Sequence, residues 1–218
     1  VSDIFNEVDE EVRREQLKEL WEKYSIYFTA LCVLIVVGVA GWRGYQWWEA
    51  KQAAQAGAAF EQAAALVEAG KHEEAESAFA KLATDSTAGY RVLAGLRQAT
   101  ELARTDPEAA VAAYDRITAD KNAGQAIQDL AAVRAGFLLV DGTPYAEMRA
   151  RLEPLTAADR TFRHSAREIL ALSAWKAGDL AAARQWTDLI ITDPQTPSGT
   201  RSRAEVLSEL ITAASSKG

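Results

Sequence analysis

Between Ser25 and Trp42 the chain runs for eighteen residues, SIYFTALCVLIVVGVAGW, without a charged side chain. A helix rises about 1.5 Å per residue, so such a run covers roughly 27 Å, close to the thickness of bilayer hydrocarbon. Its flanks carry the amphipathic rings expected at two membrane-water interfaces: Trp21, Tyr24 and Tyr27 at one end, and Trp42, Tyr45, Trp47 and Trp48 at the other. Two other readings compete. A core helix of a soluble protein is usually shorter and amphipathic. A cleaved export signal finds small residues at Gly38-Val39-Ala40. Against a signal stand the long segment before the run, with Asp3, Glu7, Asp9, Glu10 and Glu11, and an apolar core longer than the usual ~7–15 residues. The reading adopted is an uncleaved anchor.

Orientation follows from Lys and Arg, which resist translocation, whereas Asp and Glu contribute little. Arg13, Arg14, Lys18 and Lys23 precede the span, against Arg43 and Lys51 after it. The sequence therefore predicts a cytoplasmic N-terminus and a C-terminal domain on the far side of the membrane.

A chain of 218 residues with net charge -7 divides naturally into one span and one domain of ordinary size. The acidic balance argues against nucleic acid, which needs clustered Lys and Arg. Cys32, the sole cysteine, lies inside the proposed span, so the chain has neither an internal disulfide nor a thiolate zinc site. The two histidines, His72 and His164, have no second ligand at metal spacing and read as surface or helix-packing residues.

Ser2 to Lys23 is dense in charge, with Val8, Val12, Leu17, Leu20 and Trp21 at loosely helical intervals. It reads either as a short amphipathic helix at the membrane surface or as a frayed arm. From Glu49 to Ala214 the sequence is alanine-rich and lacks β-branched alternation, which predicts helices broken by short turns. Gly70 and Gly178 stand where left-handed C-terminal caps are wanted. Asp106-Pro107, Thr143-Pro144 and Thr196-Pro197 each pair an N-cap with proline at the first helical position. Turns this short imply antiparallel helix pairs.

The pairs repeat. Gly70-Lys71-His72-Glu73-Glu74-Ala75, followed by Phe79 and Leu82, aligns with Gly178-Asp179-Leu180-Ala181-Ala182-Ala183, followed by Thr187 and Ile190. Thr105, Ala110, Tyr114 and Ile117 fall in the same frame. This is the spacing of the tetratricopeptide repeat: glycine for the turn, a small residue for close helix approach, then an aromatic filling the gap to the next unit. Four units are expected, near 56–89, 91–125, 129–162 and 164–197. The third is degenerate, with Met148 and Leu152 in place of the small and aromatic residues, and a closing helix follows over Pro197 to Ala214.

The expected fold is thus all-α, an N-terminal single transmembrane helix followed by a tetratricopeptide-like α-solenoid of antiparallel helix pairs. Its parts are a cytoplasmic arm (1–24), the transmembrane helix (25–42), a juxtamembrane start of the first helix (43–55), the repeats (56–197), and a capping helix with tail (198–218).

No phosphate-binding glycine loop, nucleophile elbow or His-Glu-x-x-His pair occurs. Glu73, Glu74 and Glu76, with Lys71 and Lys81 nearby, read as a solvated helix face. No enzyme, cofactor, metal or small-molecule substrate is expected. A helical solenoid offers instead a concave face built from the first helix of each pair. The positions facing it are Phe60, Val67, Leu102, Val133, Phe137, Val140, Leu172 and Trp175, with Glu68, Asp141, Glu168 and Lys176 beside them. Such a groove suits an amphipathic helix or an unfolded hydrophobic segment. A shift of register by one residue instead packs some of these side chains inside the stack.

The stretch from Val12 to Leu66, joining anchor, aromatic collar and alanine-glutamine-rich helix, is followed by GKHEEAESAFAKLA and GDLAAARQWTDLI. Together these segments resemble the bacterial ancillary subunit of the Sec translocon. The resemblance implies a single-pass inner-membrane protein with a periplasmic tetratricopeptide-like domain. It also implies, as partners, the Sec channel, a membrane-anchored periplasmic chaperone of the prolyl-isomerase-like type, and inner-membrane lipid. The alternative is an accessory or scaffold subunit of another inner-membrane complex, respiratory or envelope-maintaining.

Overall fold

The computed structural model describes the backbone of residues 2–216 and the side chains of Lys18 and residues 21–216. All regular structure among the described residues is helical. The chain forms two compact units, Val1–Ala54 and Gln55–Gly218.

The first unit belongs to helix α1, Ser2–Glu68. From Trp21 onward α1 is long and apolar enough to cross a membrane, by length and composition. Its large aliphatic side chains, Ile26, Leu34 and Val36 among them, are exposed, as are Trp21, Tyr24, Trp42, Tyr45, Trp47 and Trp48. Thr29 Oγ1 donates to the Ser25 carbonyl at 2.8 Å, so the hydroxyl within the uncharged run is satisfied by its own helix. The helical apolar positions expected in the arm, Val8, Val12, Leu17 and Leu20, lie outside the described side chains, as do Arg13 and Arg14.

In the second unit the end of α1 is followed by α2 (His72–Asp85), α3 (Ala88–Leu102), α4 (Pro107–Ala119) and α5 (Gln125–Leu139). Then come α6 (Tyr145–Leu152), a 3-10 turn (Glu153–Thr156), α7 (Arg163–Lys176), α8 (Leu180–Ile191) and α9 (Ser198–Ser215). Each helix from α2 to α8 packs on its successor, while α5 meets α7 and α7 meets α9 across the helix between them. That neighbour pattern makes a stack of helical hairpins, in which each pair buries its apolar face on the next.

The turns show why the sequence folds this way. Gly70 and Gly178 adopt φ of +74° and +77°, and the following amides, Lys71 and Asp179, reach back to the carbonyls of Leu66 and Ala174 at 2.9 and 3.0 Å. Asp106 caps α4 through Ala109 N–H at 2.9 Å, with Pro107 opening the helix. The other two proline pairs depart from expectation. Pro144 and Pro197 occupy the N-cap position itself, and neither Thr143 nor Thr196 caps. Thr196 Oγ1 instead donates to the Ile190 carbonyl at 2.7 Å and lies 3.1 Å from His164 Nδ1, stitching the loop before α9 to α7 and α8. Gly124, at φ +77°, precedes α5 as a third left-handed glycine.

The core sits at the repeat positions. Ala75, Phe79, Ala110, Tyr114, Ala183 and Ile190 are buried, each at the small, aromatic or apolar place of its frame. The third pair keeps the pattern of burial with different residues: Met148 and Leu152 are fully enclosed. Gly136 makes room for Leu152, since a Cβ there would stand 2.9 Å from Leu152 Cδ1. Thr187, at the aromatic place of the fourth pair, is also fully enclosed, with its hydroxyl donating to the Arg184 carbonyl at 2.9 Å. Its neighbour Trp186 fills the space, and Trp186 Nε1 donates to Tyr145 Oη at 2.9 Å.

A polar knot closes the C-terminal end. Asp193, in the loop between α8 and α9, accepts from Gln195 N–H at 3.0 Å and from Arg163 and Arg167 at 3.2 Å each. Arg167 also donates to the carbonyls of Leu189 and Thr156. These donors, the Gln195 amide first and the two guanidiniums after it, hold the Asp193 carboxyl down to about 2 from its ordinary 3.8. A carboxyl depressed on folding stabilises above its unfolded value, and that stability is lost as pH falls through the folded one. Asp193→Asn is therefore less stable than the parent in denaturant titrations of the full chain in mild detergent. The gap is constant above pH 3.8 and closes as pH falls toward about 2.

Candidate interaction surface

The first helices of the pairs, α1 from Gln55, α3, α5 and α7, carry seven of the eight positions predicted to face a groove, and Val140 is the C-cap of α5. The structure sorts them into three kinds. Phe60, Val67 and Leu102 are half-buried at the edges of local cores. Phe60 stands edge-on to Phe79, with ring centroids 5.2 Å apart, and 6.0 Å from Tyr90, so its ring is spent on joining the first two pairs.

Val133 is a correction. Only 3% exposed, it lies inside the cluster of Met148, Leu152, Ile169 and Leu170. One turn farther along the same helix the face turns outward, which leaves Phe137 44% exposed. Val133 shares a helical face with Phe137 and Val140, so its burial reflects its place along α5, where Met148 and Leu152 of α6 and Ile169 and Leu170 of α7 join it in the core.

The remaining four come to the surface near the C-terminal ends of α5 and α7, two helices that pack directly. Val140 and Leu172 are half-buried against the core, and Phe137 and Trp175 are exposed. Lys176 fastens the two helix ends, with Nζ donating to the Asp141 carbonyl at 3.2 Å and to its carboxylate at 2.5 Å. A lysine in the last turn of α7 is also favoured by the negative end of that helix. The apolar patch is thus backed by core and bordered by an ion pair.

Glu168, expected beside the groove, is buried and taken up by Arg203 of α9, whose Nη2 donates at 2.8 Å and whose Nε also bonds it. This bond raises the Arg203 guanidinium above its ordinary value. The pair fastens the closing helix to α7 and leaves Glu168 no free carboxylate to offer. Glu68 is exposed. The Glu168–Arg203 pair was not readable locally, because the two are distant in sequence and meet only once α9 docks.

The histidines take packing roles. His72 Nδ1 lies 2.8 Å from Glu101 Oε2, linking the start of α2 to the end of α3. His164 is buried, and burial, more than the nearby Arg163, pushes its imidazole below the ordinary value. Among the described residues no three His, Cys, Asp or Glu side chains converge as metal ligands.

A stack of antiparallel helix pairs with an apolar patch on its first helices defines a protein-protein interaction module of the helical-repeat class. The chain belongs to the tetratricopeptide repeat-like domain family, whose model matches residues 18–186. The matched stretch takes in the apolar run of α1 as well as the first three helix pairs. The fold is typical of non-enzymatic interaction modules. No curated protein and no solved structure matches the chain.

The sorting of Val133 and Phe137 is testable by thermal unfolding followed by circular dichroism. Val133→Asp places an unpaired charge in the core and abolishes the cooperative transition. Phe137→Ser shifts stability by less than about 1 kcal/mol, the scale of surface substitutions.

Proposed function

We propose that the chain is a membrane-anchored interaction module of the bacterial inner membrane that works as an ancillary subunit of the Sec translocon and links it to periplasmic chaperones. The α1 run from Ser25 to Trp42 is the anchor, the N-terminal arm is cytoplasmic, and the repeats lie in the periplasm. The resemblance over Val12 to Leu66 and the bias of basic residues toward the arm support this arrangement.

The observation that carries the interaction role is the exposure of Phe137 and Trp175 over Val140 and Leu172 at the ends of α5 and α7. Large aromatics standing on a packed base are what binding hot spots are made of. Their chemistry fits the apolar face of an amphipathic helix or a hydrophobic segment that has not yet folded. Phe60, Val67 and Leu102 extend the same series of first helices at lower exposure. Tethering confines the module to the membrane surface, raising its effective concentration near segments emerging from a channel, so weak contacts suffice.

Photo-crosslinking tests this reading. With a photoreactive amino acid at Phe137 or Trp175 in intact membranes, the expected adducts contain channel subunits, exported chains or membrane-anchored chaperones. The same probe at Glu209, an exposed position on α9 outside the patch, gives fewer of them. Adducts confined to a respiratory or envelope-maintenance complex overturn the reading.

A further inference from the structure

A cleft of about 820 Å³ opens between α2 and α4, with α3 along its floor. None of the eight first-helix positions discussed above lines it. It sits among the second helices of the pairs, which are tied to one another farther along the stack. Arg151 of α6 bonds Asp115 of α4, and Trp186 of α8 donates to Tyr145 of α6 at 2.9 Å. Between α2 and α4 no such tie occurs among the described residues, and the space is left open.

The lining combines small and apolar positions with two cations. Ala80, Gly95 and Ile117 give it an apolar base, and the missing side chain at Gly95 deepens it, since a Cβ would come within 3.4 Å of Ile117 Cδ1. Arg91 of α3 and Arg116 of α4 are exposed at its sides, and neither has an acidic partner among the described residues. Asp120, the carboxylate in the lining, already accepts Asn122 N–H at 2.9 Å. In a chain of net charge -7, two guanidiniums without partners beside an apolar hollow are a local reversal of sign.

We propose that this cleft docks a segment of a partner protein that carries Asp or Glu beside aliphatic side chains. Arginine presents a planar fork of donors matched to a carboxylate, and clusters of it are a recurrent means of reading acidic motifs. The volume lies in the range of sites that enclose most of a small ligand or a few side chains. A second copy of this chain is the poorer occupant, because its net charge repels as a whole. The site is separate from the patch at Phe137 and Trp175, so the module holds two partners, or two parts of one, at once.

The test uses the full-length chain in lipid nanodiscs and a random short-peptide library displayed on phage. Selected peptides are expected to be enriched in Asp and Glu beside Leu, Ile or Val. Arg91→Gln/Arg116→Gln is expected to weaken them roughly tenfold or more, the scale of lost charge-assisted hydrogen bonds. Ala80→Trp, which fills the hollow and keeps both arginines, weakens them too, while Phe137→Ser/Trp175→Ser does not. Circular dichroism of each variant confirms that the helices are retained. Binders without acidic enrichment, binders sensitive only to the Phe137 and Trp175 changes, or no binders after repeated selection overturn the proposal.

Discussion

Water is a poor solvent for the stretch between Ser25 and Trp42, and that sets the first unit of the chain apart from the helical repeats. Every large aliphatic side chain from Ile26 to Val39 is more than half exposed. Enclosing each one elsewhere is worth about 1.5–3 kcal/mol, and the helix is long and apolar enough to cross a membrane. The exposed aromatic rings at each end of the run match the pattern of residues at two membrane-water interfaces. The tetratricopeptide repeat-like family model, which begins at residue 18, treats this run and the repeats as one unit.

Beyond the apolar run, close approach of helices organises the stack. Ala63, Ala75, Ala94, Ala99, Ala110, Ala131, Ala135, Ala166, Ala171, Ala174 and Ala183 are all enclosed. A methyl group lets backbones come near, and large side chains from the neighbouring turn, such as Phe79, Tyr114 or Ile190, occupy what remains. Dispersion among many small contacts does the holding. Polar ties are added where the stack ends or changes character, as in the knot at Asp193 and the Arg203-Glu168 pair of α9. Truncating one partner of such a tie leaves the other unsatisfied, which makes the closing helix sensitive to single substitutions.

Much of this was legible in the sequence because it is local. Glycine at 70 and 178, Asp106 before Pro107, and the repeated small-then-aromatic spacing each state a backbone or packing requirement within a few residues. The third pair looked degenerate, yet Met148 and Leu152 are as enclosed as their counterparts. For Leu152 the compensation sits at Gly136 on a different helix, beyond the reach of a motif. The candidate surface was half legible for the same reason. Periodicity put Val133 on the same face as Phe137, and only the docking of α6 and α7 decides that the first is buried and the second exposed. The cleft over α3 left no trace in any pattern, since it is defined by what α2 and α4 leave unfilled.

In the proposed arrangement the apolar run of α1 holds the helical repeats at the outer surface of a cytoplasmic membrane. Protease accessibility examines it most directly, comparing spheroplasts with inverted membrane vesicles and following the chain with antibodies to the repeats and to the arm. The account predicts that the repeats are digested in spheroplasts and protected in inverted vesicles, with the arm showing the reverse. Repeats protected in spheroplasts and cut in inverted vesicles, or a full-length chain recovered in the soluble fraction without detergent, would contradict it.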